Sequence, residues 1–270
     1  MESTPGRLIV LSALVLLLLA CSAAFSTIPL TPTSPPTSES ITASSTPFLS
    51  TQLTLVSVPF IETDPGSQYP PYTITAQTPQ LNGSDDPRVL ALNQRLGGLI
   101  TEEVDVWRKS FQQLPVTPLS NGSSLNVTYT LASQIGELWS FKFDFSFYSD
   151  SAAHPGLNSI TVNYDLGQGR ELALGDLFQP DSGYLEAVAQ YCIAELYKQP
   201  YSDMFIGDGA EPTLQNYRNW NITADGLLIT FDEYQVAPYA AGPQAVVIPY
   251  GELREIIDPQ GPLAILDKAN

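Results

Sequence analysis

Three stretches in the middle of the chain alternate apolar and polar side chains. In residues 125–131 the apolar set is Leu125, Val127, Tyr129 and Leu131; in 139–147 it is Trp139, Phe141, Phe143, Phe145 and Phe147; in 160–166 it is Ile160, Val162, Tyr164 and Leu166. A period of two puts each set on one face of a strand, so the pattern predicts half-buried antiparallel strands in sequence order, a meander. The opposite face carries Asn126, Thr128, Thr130, Lys142, Asp144, Ser146, Tyr148, Ser159, Thr161, Asn163 and Asp165. That face is polar enough to meet water or a partner.

Two other segments follow a helical period. Val89, Leu92, Leu96, Ile100, Val104, Trp107 and Phe111 recur at steps of three and four behind Asp85-Asp86-Pro87, an acidic cap and a proline suited to a first helical turn. Leu185, Val188, Cys192 and Leu196 form a second stripe, predicting a helix over roughly 181–198. Residues 52–60 and 70–79 are rich in β-formers, with prolines marking sheet edges. Leu227, Ile229 and Phe231 predict one late strand and 245–248 another, before a short helix from Pro249 to Ile257. The apolar phase slips where Tyr234 and Val236 follow, which calls for a bulge or bend near Asp232-Glu233. Together these elements predict an α+β fold: an antiparallel meander sheet packed on one face by two main helices, with a C-terminal strand pair and short helix. Residues 51–148 make its N-terminal half and 149–270 its C-terminal half.

Ahead of this region, residues 1–20 read as an export signal: Arg7, then an apolar run from Leu8 to Ala20 too short to span a bilayer. The run ends in Leu18-Leu19-Ala20-Cys21, which resembles a bacterial lipobox, so Cys21 is the expected lipidation site and the chain is expected to be anchored to the cell membrane, facing outside the cytoplasm. Residues 21–50, rich in Ser, Thr and Pro, form the expected tether. The formal charge of −17 disfavours nucleic acid as a partner and favours cationic ones. Beyond Cys21 only Cys192 remains, on a helix stripe, which points to a buried thiol rather than a disulfide or nucleophile.

Catalytic chemistry finds little support. His154 is the sole histidine, so a zinc site of several histidines is impossible, and neither a G-x-S-x-G elbow nor an S-x-x-K pair occurs. In the turn-forming sequence Ser149-Asp150-Ser151-Ala152-Ala153-His154-Pro155-Gly156, the imidazole is expected to donate to a neighbouring carbonyl in a strand connection. The acids of 203–211 lack the spacing of an EF-hand and read as a solvated loop. No catalytic residue, resident metal or cofactor is expected.

The run from Phe231 through Asp232, Glu233, Tyr239, Gly242 and Pro243, followed by Val247-Ile248-Pro249-Tyr250 and Leu253, is similar to the bacterial domain of unknown function 3298. Weaker similarity continues through Ala153-His154-Pro155, Gly175-Asp176-Leu177-Phe178 and Thr78-Pro79-Gln80-Leu81, so the resemblance covers roughly 52–258 and is strongest at 227–258. With its upstream partner domain 4163, that family forms the extracytoplasmic lysozyme-sensing part of the anti-sigma-V factor and the accessory region of a peptidoglycan deacetylase. The resemblance therefore implies an exported recognition module for a basic muramidase (lysozyme) or a cell-wall component. It points to His154, Asp232, Glu233, Tyr239 and Gly242 as ligand-binding candidates. A cell-wall hydrolase or deacetylase and a structural envelope lipoprotein are the alternatives.

Overall fold

The computed structural model describes residues 53–267. The predicted signal, Cys21 and the tether lie outside the described residues. Within them, a six-stranded sheet has the order β1 (Thr54–Asp64), β2 (Tyr72–Asn82), β3 (Ser123–Ile135), β4 (Leu138–Tyr148), β5 (Gly156–Asp165) and β6 (Arg170–Glu171). The meander β3–β4–β5 is antiparallel, and its apolar sets meet in register: Val127 faces Phe145, Tyr129 faces Phe143 and Phe143 faces Ile160. Helix α1 (Pro87–Gln112) covers that face, burying Val89, Leu92, Leu96, Ile100, Val104 and Phe111 against it. Its start follows from the cap: the Asp86 carboxylate accepts from the Arg88 N–H at 2.8 Å, and Pro87 needs no intrahelical partner.

The α+β class stands, and three details differ from the sequence reading. First, β2 and β3 pair in parallel, because the long α1 crossover carries the chain back to the end at which β2 begins, so that Ser123 lies beside Tyr72. Second, helix α2 (Tyr184–Leu196) does not share the α1 face. It packs Val188, Ala189, Cys192 and Leu196 into a second core with Leu227, Ile229, Phe231, Val246 and Ile248. Third, the C-terminal strands number three: β7 (Trp220–Ile222), β8 (Leu227–Phe231) and β9 (Gln244–Ile248) form an antiparallel sheet. β7 escapes sequence detection because it is three residues long and Asn221 interrupts its apolar run. Two four-residue helices follow, α3 (Tyr250–Leu253) and α4 (Ala264–Asp267).

Prolines mark the outer strands as expected. Pro59 pairs with Gln77 and Pro79 with Ser57, two steps apart on the β1–β2 ladder. Antiparallel ladders alternate hydrogen-bonded with non-hydrogen-bonded pairs, so both missing N–H groups can fall on pairs of the second kind. β1 is the sheet edge, and β2 meets β3 only through Tyr72–Ala76, so neither proline robs a neighbouring strand. The β1 edge is clamped to α1 by Glu62, whose carboxylate takes Arg108 at 2.6–3.1 Å and the Tyr72 hydroxyl at 2.8 Å.

The two cores meet across polar side chains. β7 touches β3, β4 and β5 on the face opposite α1. There Asn221 Nδ2 donates to Ser140 Oγ at 2.8 Å and to the Phe141 carbonyl at 3.0 Å. Ser140 donates to Asn163 Oδ1 at 2.6 Å, and Asn163 Nδ2 donates to the Trp220 carbonyl at 2.7 Å. A bulge between Leu131 and Ser133 flips the phase of β3, so that Ser133 reaches the Ile222 carbonyl and Ile135 joins the second core. The β5 part of the predicted polar face is therefore covered by the segment 218–232, while Asn126, Thr128 and Thr130 stay exposed.

Ser140→Ala should lower the unfolding free energy by about 1–3 kcal/mol, since it strips a partner from Asn163, Asn221 and the Ile222 N–H inside the protein. Urea denaturation measures this, and a loss below about 0.5 kcal/mol would show that the seam tolerates the gap. The Glu62 clamp makes a separate prediction about pH. The Arg108 hydrogen bonds hold the Glu62 carboxyl below the ordinary glutamate range, against the opposing effect of burial. A lowered folded-state value means that the stabilisation is present above the unfolded value of about 4.3 and fades as pH falls through the folded one. The stability gap between the parent and Glu62→Gln should accordingly be widest near neutral pH and close in acid; a gap that is constant with pH would exclude ionic stabilisation.

Candidate functional site

β5 pairs with β4 along its whole length but with β6 only through Tyr164 and Asp165. Its opening half is a free sheet edge, and side chains cap it. The Leu157 N–H donates to Glu233 Oε2 at 3.0 Å and the Ser159 N–H to Asp232 Oδ1 at 2.8 Å. Two carboxylates thus stand where a neighbouring strand would present carbonyls. Asp232, which is buried, also accepts from Arg218 and from Asn219 Nδ2.

These acids lie in the loop that ends β8, where the sequence predicts a bulge or bend. The structure has a tight turn, closed by the Gln235 N–H donating to the Asp232 carbonyl at 3.1 Å. The Gln235 side chain locks it further by donating to the carbonyls of Gly209 and Asn216 at 3.0 and 2.8 Å. Tyr234 at its tip has φ 64°, a left-handed conformation that disfavours a bulky side chain. The residue is nonetheless 55 % exposed.

The strained loop delivers Tyr234 to His154. The tyrosine hydroxyl lies 3.1 Å from Nε2, while Nδ1 lies 2.8 Å from the Pro155 carbonyl. A carbonyl can only accept, so Nδ1 carries a proton, and in the neutral imidazole Nε2 accepts from Tyr234. Tyr239, on the short turn 239–241, stacks on the imidazole with centroids 3.9 Å apart and donates to the Pro155 carbonyl at 3.0 Å. Three rings therefore form a platform, exposed at His154 and Tyr234 and half-buried at Tyr239. Just after Pro155, Gly156 lets the strand pass the Phe147 ring, since a Cβ there would come within 2.4 Å of it.

Beside the platform a groove of about 470 Å³ runs between α1 and the Asp232–Gln235 loop. Glu103, Val106 and Trp107 form one wall, Ile160 and Phe145 are at the sheet side, and Glu233 and Tyr234 form the other wall. Trp107 lies 4.2 Å from Phe147, centroid to centroid, and is half-buried. Burial first, and the adjacent Glu102 second, push the Glu103 carboxyl above the ordinary range.

The arrangement is poor in reactive groups. His154 Nδ1 faces a carbonyl where a catalytic triad would need a carboxylate, and its other nitrogen is engaged. Cys192 is fully buried, and burial pushes its thiol up to about 12. Among the described residues no three His, Cys, Asp or Glu side chains converge on a point that could hold a metal. A second hollow of about 610 Å³ at the start of α2 offers Asp181, Glu186 and Asp258 and an Arg170 already paired with Asp176.

Of the residues singled out from the sequence, the structure gathers His154, Tyr239, Asp232 and Glu233 into one place. Gly242 adds no side chain and takes φ 65° to turn the backbone after Tyr239. Asp232 and Glu233 are held by backbone donors from β5. Sequence reasoning passes over Tyr234, Glu103 and Val106, and it counts Trp107 only as part of the α1 stripe. The slip of apolar phase at Tyr234 is the one signal that marks it.

Residues 175–251, from the turn before α2 to the start of α3, match the family model described as Protein of unknown function (DUF3298), as the motif around Phe231–Tyr250 suggests. His154 lies outside that segment, so the aromatic platform draws on both sides of its boundary. The chain is 26% identical over 171 residues to peptidoglycan-N-acetylmuramic acid deacetylase PdaC of Bacillus subtilis, spanning 62% of this chain and 36% of PdaC. It is 27% identical over 103 residues to immunogenic protein MPB64 of Mycobacterium bovis, spanning 38% of this chain and 45% of MPB64. The matches thus take in less than half the length of either relative. Among solved structures, a DUF3298 family member from Bacteroides fragilis superposes with a TM-score of 0.60 at 18% identity, over 79% of this chain and 96% of that one. A DUF3298 family protein from Pseudomonas aeruginosa does so with 0.56 at 18% identity, over 77% and 95%. Likeness at this identity is a likeness of fold.

The strain at Tyr234 yields a prediction. Asparagine tolerates the left-handed region far better than tyrosine, so Tyr234→Asn should raise stability by up to about 1 kcal/mol while removing a platform ring. Thermal denaturation checks this; a clear loss of stability would mean that the Tyr234 contacts outweigh the backbone strain.

Proposed function

We propose that this chain is an exported, non-catalytic binding module of the bacterial cell envelope, anchored through lipidated Cys21, and that its platform and groove recognise a basic, wall-directed protein. A lysozyme-type muramidase is the concrete candidate. The observation that carries the reading is the solvent-accessible His154–Tyr234–Tyr239 platform, held on a loop that bears backbone strain at Tyr234. Solvent-accessible rings held by hydrogen bonds and stacking suit a recognition surface. The charge of −17 supports a cationic partner, by steering encounter as well as by contact. An extracytoplasmic location is supported by the export signal and by PdaC, whose name makes peptidoglycan its substrate. No helix among the described residues is long and apolar enough to cross a membrane. The Leu18-Leu19-Ala20-Cys21 sequence supports the lipid as the proposed anchor.

PdaC also favours a second reading, in which the ligand is the wall glycan itself, stacked on the same rings. Salt separates the two, because neutral sugar stacking is insensitive to it.

Purified mature chain carrying Cys21→Ser should bind lysozyme with micromolar affinity in low salt and lose most of that affinity in moderate salt. Tyr239→Ala should weaken binding about tenfold, the effect of losing one well-packed aromatic contact. Calorimetric titration reads both effects. No binding at micromolar concentration in low salt would eliminate lysozyme, and peptidoglycan turnover abolished by His154→Ala would replace recognition with catalysis.

A further inference from the structure

The groove beside the platform contains three carboxylates with different fates. Asp232 is occupied by the Ser159 N–H, Arg218 and Asn219, and Glu233 by the Leu157 N–H. Arg218, the groove's own cation, is taken up by Asp232. Glu103 has no hydrogen-bond or ion-pair partner among the described residues, and its charged neighbour is the like-charged Glu102. It is half-buried, so its charge is incompletely solvated. One helical turn further along the same face stands Trp107, braced at its back by Phe147 at 4.2 Å and by Phe111 at 5.8 Å.

An unpaired carboxylate next to a packed indole, in a groove whose other charges are already paired, is complementary to one kind of side chain. A guanidinium is planar and weakly hydrated: it can lay its face on an indole while its forked N–H groups meet a carboxylate. We infer that the groove is an arginine-binding subsite, in which Glu103 receives the guanidinium and Trp107 stacks on it. This deepens the proposed function and rests on it, since it names the feature of a basic partner that the acidic module would grip. The overall charge supports the same choice of occupant.

The test uses the mature chain carrying Cys21→Ser and the capped peptide acetyl-Arg-Arg-Arg-amide as probe. Tryptophan fluorescence reports on the groove, because Trp139 and Trp220 are buried at 2 % and 5 % exposure and Trp107 lines the site. The peptide should perturb the emission, and Glu103→Gln should weaken its binding by about fivefold or more, as expected for a lost charge-assisted contact. Glu102→Gln removes the same charge next door, outside the groove, and should change affinity less than about twofold. Equal weakening by the two variants would overturn the subsite in favour of diffuse attraction. Emission perturbed by chitotetraose and not by the peptide would overturn it in favour of a neutral glycan. Lysozyme bound equally well by the parent and Glu103→Gln would leave the proposed function intact and sink this inference. Peptide binding that depends on Glu103 without lysozyme binding would uphold the subsite and remove that partner.

Discussion

Asn221 lies with its side-chain amide on Ser140 and the Phe141 carbonyl, fully shielded from water, and the placement of everything beyond the large sheet depends on that contact. Apolar surfaces would glue the two halves together in many registers, because hydrophobic burial has no direction. Hydrogen bonds have direction, and a buried donor left unpaired costs about 1–3 kcal/mol, so a slip of β7 by one residue would be penalised at several groups at once. The Ser140–Asn163–Asn221 seam therefore acts as a register pin between two cores, each apolar in its own right.

Once β7 is pinned, the path of the following chain is short and its destination constrained. β8 runs back antiparallel to β7 and ends at Phe231, which leaves Asp232 and Glu233 beside the one stretch of β5 that lacks a neighbour. An uncapped edge invites pairing with other chains; here carboxylates fill it, and further pairing is blocked. The turn needed to aim both acids at β5 is so tight that Tyr234 takes a left-handed conformation. That conformation sends the ring outward onto His154. Edge protection and surface presentation are in this way two results of one turn.

Helix α1 serves both sides of the arrangement. Its buried stripe fills the main core, while the neighbouring line of Glu103, Val106 and Trp107 walls the groove. Arg108, one residue on, ties the helix to the edge strand through Glu62. A helix fixed so firmly at its buried face can offer a groove wall of constant shape, and a preformed wall spares a ligand the entropy of ordering it.

Periodicity alone identifies the meander, the α1 stripe and the buried place of Cys192, because core faces obey the geometry of single elements. The His154 imidazole likewise donates to a neighbouring carbonyl, as its turn-forming neighbours imply. What periodicity does not carry is the relation between elements. The parallel pairing of β2 with β3, the transfer of α2 to a second core and the existence of β7 all depend on contacts distant in sequence. The site shows the same division. The sequence names His154, Asp232, Glu233 and Tyr239 as candidates; tertiary structure turns the two acids inward as caps on β5, promotes Tyr234 and brings Glu103 and Trp107 alongside. The reason is physical: a side chain's face follows from its own strand or helix, but whether a carboxylate is free or occupied depends on which backbone N–H groups the fold carries to it.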